Sequence, residues 1–156
     1  MKGDYFLKLF SNKKNGDYTI IVGCGRLGAN LADILSDSGG NIAIIDKDPD
    51  AFRKLSTSYG GIVMTGDATE MSVLNNAEIE KATTVISVTN KDNINIMVAQ
   101  LAKEMFNIER VIARLYDPEC ECVYREFGID TICPAALSTK EIDKLLGVPE
   151  EEGEEI

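Results

Sequence analysis

The amino-acid sequence predicts an α/β fold, a doubly wound, six-stranded parallel sheet with helices on both faces. Two observations carry that reading. Short β-branched runs alternate with longer amphipathic segments from Tyr18 to about Cys133. The first run, Thr19-Ile20-Ile21-Val22, passes directly into the glycine-rich turn Gly23-Cys24-Gly25-Arg26-Leu27-Gly28. Continuous apolar runs suit strands buried on both faces of a parallel sheet, and parallel neighbours require right-handed helical crossovers.

Strands are expected at Tyr18–Val22, Asn41–Asp46, 61–65, 84–89, Arg110–Arg114 and 130–133. A helix is expected over 26–36, where Leu27, Leu31, Ile34 and Leu35 recur at helical spacing, and another over 93–106, where Ile94, Met97, Val98, Leu101 and Met105 form one stripe. Gly39-Gly40, Gly60-Gly61, Gly66 and Gly128 punctuate the ends of elements. Pro134 opens a last helical stretch at 138–146, with Ser138 or Thr139 as its cap.

The chain divides into an amino-terminal arm (1–17), a nucleotide-binding domain (18–148) and an acidic tail (149–156). Five glutamates in the last seven residues make the tail a solvated end. In the arm, Tyr5, Phe6, Leu7, Leu9 and Phe10 stand beside Lys2, Lys8, Lys13 and Lys14. That mixture fits an arm packed on its own domain or on a second subunit, or one docked to a membrane-associated partner.

Composition narrows the function classes. The 156 residues suffice for one domain and not for separate cofactor and substrate domains. Sixteen Lys+Arg against 26 Asp+Glu leave a net charge of −10, which argues against non-specific binding of nucleic acid. The sequence has no histidine, which removes the Ser-His-Asp and Cys-His devices and most zinc enzymes. No apolar stretch approaches the ~20 residues needed to span a bilayer, and the amino terminus has no signal-peptide pattern, so a cytoplasmic protein is expected. Cys24, Cys120, Cys122 and Cys133 are too few for a disulfide scaffold, and Cys120 and Cys122 lack the C-x-x-C spacing of redox and zinc motifs. They read as free thiols.

The glycine turn carries the strongest functional signal, because a strand precedes it and an amphipathic segment follows. Gly23 allows the tight turn, Gly25 admits a phosphate without a Cβ in its way, and Gly28 allows close helix–strand packing. Free N–H groups at the helix start then face the phosphates. Asp46 ends the second strand, eighteen residues past Gly28, where a carboxylate accepts hydrogen bonds from both ribose hydroxyls. The same carboxylate repels a 2′-phosphate, an exclusion that Lys47 and Arg53 weaken only slightly. A competing role for Asp46 is to cap the helix that follows at Asp48–Pro49. Arg26 supplies a guanidinium for a terminal phosphate or a neighbouring subunit, against the bland reading of an exposed first-turn residue. This is a Rossmann-like nucleotide site. It does not by itself distinguish a dinucleotide from ATP, ADP or AMP.

Five segments occur in order: Gly23 to Gly28, then Ile44-Ile45-Asp46-Lys47-Asp48-Pro49, Thr65-Gly66-Asp67-Ala68-Thr69, Val88-Thr89-Asn90-Lys91-Asp92-Asn93 and Ile112-Ala113-Arg114. Together they resemble the amino-terminal lobe of the domain that regulates conductance of potassium, the nucleotide-binding subunit of Trk- and Ktr-type potassium uptake systems. The resemblance covers about Tyr18 to Leu146. It implies a cytoplasmic, non-enzymatic regulator that assembles as dimers or rings beneath a separate potassium-translocating membrane subunit. It implies binding of NAD(H) or an adenine nucleotide (ATP, ADP or AMP), with no nucleic-acid partner and no membrane span of its own.

By the same resemblance, Gly23, Gly25, Arg26 and Gly28 hold phosphates, with Cys24 and Leu27 in the same turn, and Asp46 holds the ribose with Lys47 beside it. Asp67 and Ala68 lie beside the adenine, Thr89 and Asn90 sit at the end of the fourth strand, and Arg114 ends the fifth. The bland alternatives are a simple turn at Gly66-Asp67 and a helix cap at Asp92-Asn93. Many members of this family carry a second, carboxyl-terminal lobe, whereas this chain stops about ten residues after Leu146. A one-lobe subunit paired with another chain is therefore expected.

The alternative class is a small NAD-dependent oxidoreductase, or the dinucleotide-binding subunit of an enzyme. No tyrosine here (Tyr5, Tyr18, Tyr59, Tyr116, Tyr124) has a lysine four residues on, the pair that short-chain dehydrogenases use. A redox-responsive transcription factor would need a basic reading helix, and the only basic segment, 2–14, is short and aromatic.

Overall fold

The first apolar run becomes the centre of the molecule. Strand β1 (Tyr18–Val22) is buried at every residue and pairs in parallel with β2 (Asn41–Asp46) on one side and β4 (Thr84–Ser87) on the other. Strand β3 (Ile62–Thr65) lies outside β2, and β5 (Arg110–Arg114) and β6 (Asp130–Ile132) lie beyond β4. The order is β3-β2-β1-β4-β5-β6, all parallel. Between β1 and β4 the crossovers leave in opposite directions, so a crevice opens at the carboxyl ends of these two strands. The protein is seen in a computed structural model that describes residues 16–147. The expected arm, apart from Gly16 and Asp17, and the acidic tail lie outside the described residues.

Alternate residues of the central strands feed two cores. On one face Ile21, Ile42, Ile44 and Ile86 pack against Ala29, Ala32 and Leu35 of α1 (Arg26–Asp37). On the other, Ile20, Val22, Ala43, Ile45 and Val85 pack against Leu74 of α2 (Met71–Asn76) and Val98 and Ala99 of α3 (Asp92–Gln100). The remaining α-helices among the described residues are α4 (Glu121–Glu126) and α5 (Pro134–Leu146).

Several expected boundaries and faces shift. Strand β3 begins at Ile62, one residue later than expected, and it is an edge strand with Ile62 and Val63 exposed. Strand β4 stops at Ser87 and β6 at Ile132, so Thr89 lies in the turn past β4, not in the strand. In α1 the buried face is Gly28, Ala29, Ala32 and Leu35, while Leu27 and Ile34 are exposed. Small side chains let this helix approach the sheet closely, which outweighs the larger apolar residues of the expected stripe. In α3 the core face is Asn95, Ile96, Val98 and Ala99, leaving Met97 exposed. The helix also widens into a π-type turn over Leu101–Met105, where the expected 93–106 helix was continuous.

Helix α5 starts at Pro134, four residues before the expected stretch. Proline at the first helical position loses no hydrogen bond, so no cap at Ser138 or Thr139 is needed. Thr139 Oγ1 instead donates to the Ala135 carbonyl inside the helix. Asp92 is the first residue of α3 and not its cap, and its carboxylate accepts the Tyr116 N–H.

Two glycines of the turn are demanded by this architecture. Gly23 has φ +101°, and a Cβ there would stand 2.9 Å from the Thr89 nitrogen. A Cβ on Gly28 would overlap the Gly23 carbonyl oxygen. Gly28→Ala should therefore destabilise the domain by about 3 kcal/mol or more, since backbone has to move. Chemical denaturation measures this, and a stability equal to wild type would contradict the packing described.

Candidate functional site

The site starts from what a helix end leaves unpaired. The first intrahelical bond at the turn is Ala29 N–H to the Gly25 carbonyl, at 2.9 Å. The N–H groups of Arg26 and Leu27 therefore have no acceptor in their own helix. Gly25 caps α1 without a side-chain hydrogen bond, and the first turn holds no acidic residue to offset the positive end of the helix dipole. A Cβ placed on Gly25 would meet nothing within 4 Å, and its φ of −77° suits any residue. Unlike Gly23 and Gly28, Gly25 is not required by the fold; it keeps space open in front of the helix.

Asp46 faces this space from the end of β2. Its Oδ2 accepts the Cys24 N–H at 2.7 Å and its Oδ1 accepts the Asp48 N–H at 2.9 Å. The carboxylate thus braces the glycine turn. The capping role that competed for Asp46 falls to Asp48, whose Oδ1 accepts the Asp50 N–H at the start of a 3₁₀ turn, Pro49–Lys54. A carboxylate has about four acceptor sites, so each Asp46 oxygen keeps one for another donor.

Asp67 follows β3. Its Oδ1 accepts both the N–H and the hydroxyl of Thr69, at 2.9 and 2.6 Å, and its Oδ2 lies 3.3 Å from Lys47 Nζ. This is a turn closed by a carboxylate, as the bland reading of Gly66-Asp67 has it, and it also stands on the crevice. The Thr69 donors first, then Lys47, hold the Asp67 carboxyl below the usual carboxylate range.

The opposite wall is organised by Asn95, a residue that sequence reasoning did not single out. It is fully buried on α3. Its Oδ1 accepts from the Ser87 hydroxyl, the Thr89 N–H and the Thr89 hydroxyl, and its Nδ2 donates to the carbonyls of Thr89 and Arg114 at 3.0 Å. One amide therefore joins the ends of β4 and β5. The available signal was a polar residue on a helix stripe between apolar neighbours, and that pattern does not distinguish an exposed position from a buried hub.

These pieces enclose one cavity of about 730 Å³ at the carboxyl edge of the sheet. Gly23, Cys24, Gly25, Arg26, Leu27, Asp46, Lys47, Asp67, Ala68, Thr89, Asn90 and Arg114 all line it. Gly28 does not, because it is buried beneath Gly23. Lys54, Lys91, Ile94 and Pro134 line it as well, and sequence reasoning did not place them there. They reach the crevice from segments whose path is set by tertiary packing. Cys24 contributes its backbone, while its thiol turns inward toward the Ala51 carbonyl, 3.5 Å away. Burial first, then the nearby Asp46 charge, pushes that thiol up to about 11.

The TrkA-N domain family model matches residues 19–134. A Trk system potassium uptake protein TrkA from Streptomyces coelicolor is 44% identical over 115 residues, covering 74% of this chain and 52% of that protein. The chain thus spans about half the length of this curated relative. Among solved structures, the TrkA-N domain of the inner membrane protein ybaL from Escherichia coli superposes with a TM-score of 0.74 at 18% identity, covering 86% of this chain and 99% of that one. The Kef CTD of Shewanella denitrificans in its AMP-bound form superposes with a TM-score of 0.67 at 20% identity, covering 86% of this chain and 84% of that one.

Two predictions test the local chemistry. At pH 8 a thiol with a pKa of about 11 is thiolate in only about one part in a thousand, so iodoacetamide should label the exposed Cys122 and spare the buried Cys24. Peptide mapping decides it, and rapid native labelling of Cys24 would contradict its placement. Asp67 favours the folded state above the usual carboxylate range, and that contribution is lost as pH falls through its depressed folded pKa. Asp67→Asn should lower stability by about 1 kcal/mol near pH 7, and the gap to wild type should narrow in thermal melts as pH falls below the usual carboxylate range.

Proposed function

The chain belongs to the TrkA-N domain family, and we propose that it is a nucleotide-binding regulatory subunit of a potassium uptake system. It senses NAD(H) or ATP, ADP or AMP and gates a separate potassium-translocating membrane subunit. One observation carries this reading: an open glycine, Gly25, and an acceptor-bearing carboxylate, Asp46, face the same cavity at the switch point of the sheet. In the proposed complex, the N–H groups at the start of α1 receive phosphate oxygens, and the remaining acceptor sites of Asp46 receive the two ribose hydroxyls. Ala68 and Asp67 lie along the wall where the adenine would rest.

A ribose 2′-phosphate is disfavoured. Asp46 carries its charge into the ribose position, and Lys47, the adjacent cation, lies against Asp67. The name of the Streptomyces relative supports the potassium-uptake setting, and the AMP-bound neighbour supports an adenine nucleotide. A chain with no histidine, and with the thiol of its glycine turn facing inward and pushed up to about 11, suits sensing better than catalysis. We place the protein at the cytoplasmic face of the membrane, as a homo-oligomer attached through its transporter partner. No helix among the described residues is long and apolar enough to cross a membrane.

Gating follows from differential binding. A nucleotide shifts an assembly between two states only by the difference in its affinity for them. Arg26 lines the cavity from the first turn of α1, and one phosphate more or less would make or break a charge-assisted bond to it. That bond supplies an energetic basis for different responses to different nucleotides.

Isothermal titration with NADH, NADPH and AMP tests the assignment. Asp46→Ala should weaken NADH and AMP binding at least tenfold, and wild type should prefer NADH to NADPH by a similar factor. Gly25→Val should abolish binding while the domain remains folded, because its side chain enters open space. Unchanged nucleotide affinity in both variants would overturn the site.

A further inference from the structure

Arg114 stands apart among the cations of the cavity. Its Nε–H is shut off from solvent and has no acceptor among the described residues. Its guanidinium carbon lies 5.3 Å from the centre of the Tyr116 ring. A cation over a ring face is held by the ring quadrupole, a contact that supplies no oxygen acceptor to the guanidinium N–H groups. An unsatisfied charged donor is unfavourable where it is buried, so this arrangement calls for an oxygen acceptor.

One hydrogen bond holds the Arg114 backbone and two hold that of Tyr116. Asn95 Nδ2 holds the Arg114 carbonyl at 3.0 Å. The Tyr116 N–H is held by Asp92 Oδ2 at 2.8 Å, and the Tyr116 carbonyl accepts from the Cys133 thiol at 3.5 Å. The aromatic platform and the strand end therefore form a preorganised pair.

Strand register shows which part of a ligand this pair would meet. Ile45, Val22, Ser87 and Ala113 stand level across β2, β1, β4 and β5. Asp46 and Arg114 are each the next residue on their strands, three strand spacings apart, or about 14 Å. A nucleoside monophosphate with its ribose at Asp46 and its phosphate on the glycine turn covers β2 and β1. It stops short of β5.

Resting on the nucleotide site proposed above, we propose that Arg114 recognises the portion of the ligand beyond its first phosphate. It is a specificity-determining residue that favours an adenine nucleotide extended past the α-phosphate by an oxygen-rich group, as NAD⁺ and ATP are and AMP is not. On binding, a guanidinium N–H donates to an oxygen of that extension, and the Tyr116 ring holds the guanidinium plane at the required angle.

The test is calorimetric titration of the full chain with AMP, ATP and NAD⁺, for wild type and for Arg114→Gln and Arg114→Lys, each checked for folding by thermal melting. Arg114→Gln should lose tenfold or more in affinity for NAD⁺ or ATP, while its affinity for AMP stays within about twofold. Arg114→Lys retains the charge without the planar fork and should fall between them, which keeps the test open if the glutamine variant does not fold. Equal losses for AMP and the extended nucleotides, or no loss for any, would overturn the assignment. Wild type that binds none of the three would overturn the nucleotide site itself, a separate outcome from selective failure at Arg114.

Discussion

Gly23 is wedged between β2 and the turn that follows β4. Its N–H donates to the Ile45 carbonyl at 2.8 Å, and the space a Cβ would occupy lies 2.9 Å from the Thr89 nitrogen. Gly28 packs directly against the Gly23 carbonyl, so the start of α1 is seated on the switch point of the sheet. Remove either close approach and the helix has to rise. The cavity, the bracing of Asp46 and the alignment of helix N–H groups all depend on that seating.

From this seat the charges fall into two groups with different freedom. Asp46 and Asp67 are tethered to backbone: Asp46 to Cys24 and Asp48, Asp67 to the Thr69 turn. They are preorganised acceptors, and little reorganisation is needed for a further donor to join them. Among the cations, Lys47 lies against Asp67 and Arg114 is stacked on Tyr116. A net charge of −10 for the whole chain conceals a crevice in which Arg26, Lys47, Lys54, Lys91 and Arg114 outnumber Asp46, Asp48 and Asp67. An anionic ligand meets this local field before it meets the net charge.

Asn95 shows how a buried amide organises a site without facing it. Five hydrogen bonds tie α3 to Ser87, Thr89 and Arg114, so one side chain joins the ends of β4 and β5. Buried polar hubs of this kind specify one arrangement strongly, because each lost bond leaves a desolvated group unpaired. The two walls of the cavity are therefore built differently. The β1–β2 side rests on glycine contacts, and the β4–β5 side on one side chain.

The sequence by itself determined the parallel α/β class, the six strands, and the glycine turn and Asp46 that mark the crevice. These signals are local: an apolar run, a turn residue and an acid at a strand end can be read from neighbours in the chain. Tertiary structure alone decided which helix faces meet the sheet. The large residues Leu27, Ile34 and Met97 read as core, yet Gly28, Ala29, Ala32 and Asn95 occupy it. Close approach favours small side chains, and the hydrogen bonds that justify burying an asparagine come from strands distant in sequence. The contacts behind the separate roles expected of the three glycines are visible only in space. Gly23 and Gly28 are required by backbone contacts with Thr89 and with each other, whereas Gly25 faces an open cavity. Motif position anticipates a division among the three, and packing supplies its cause: two glycines hold the fold and one borders open space.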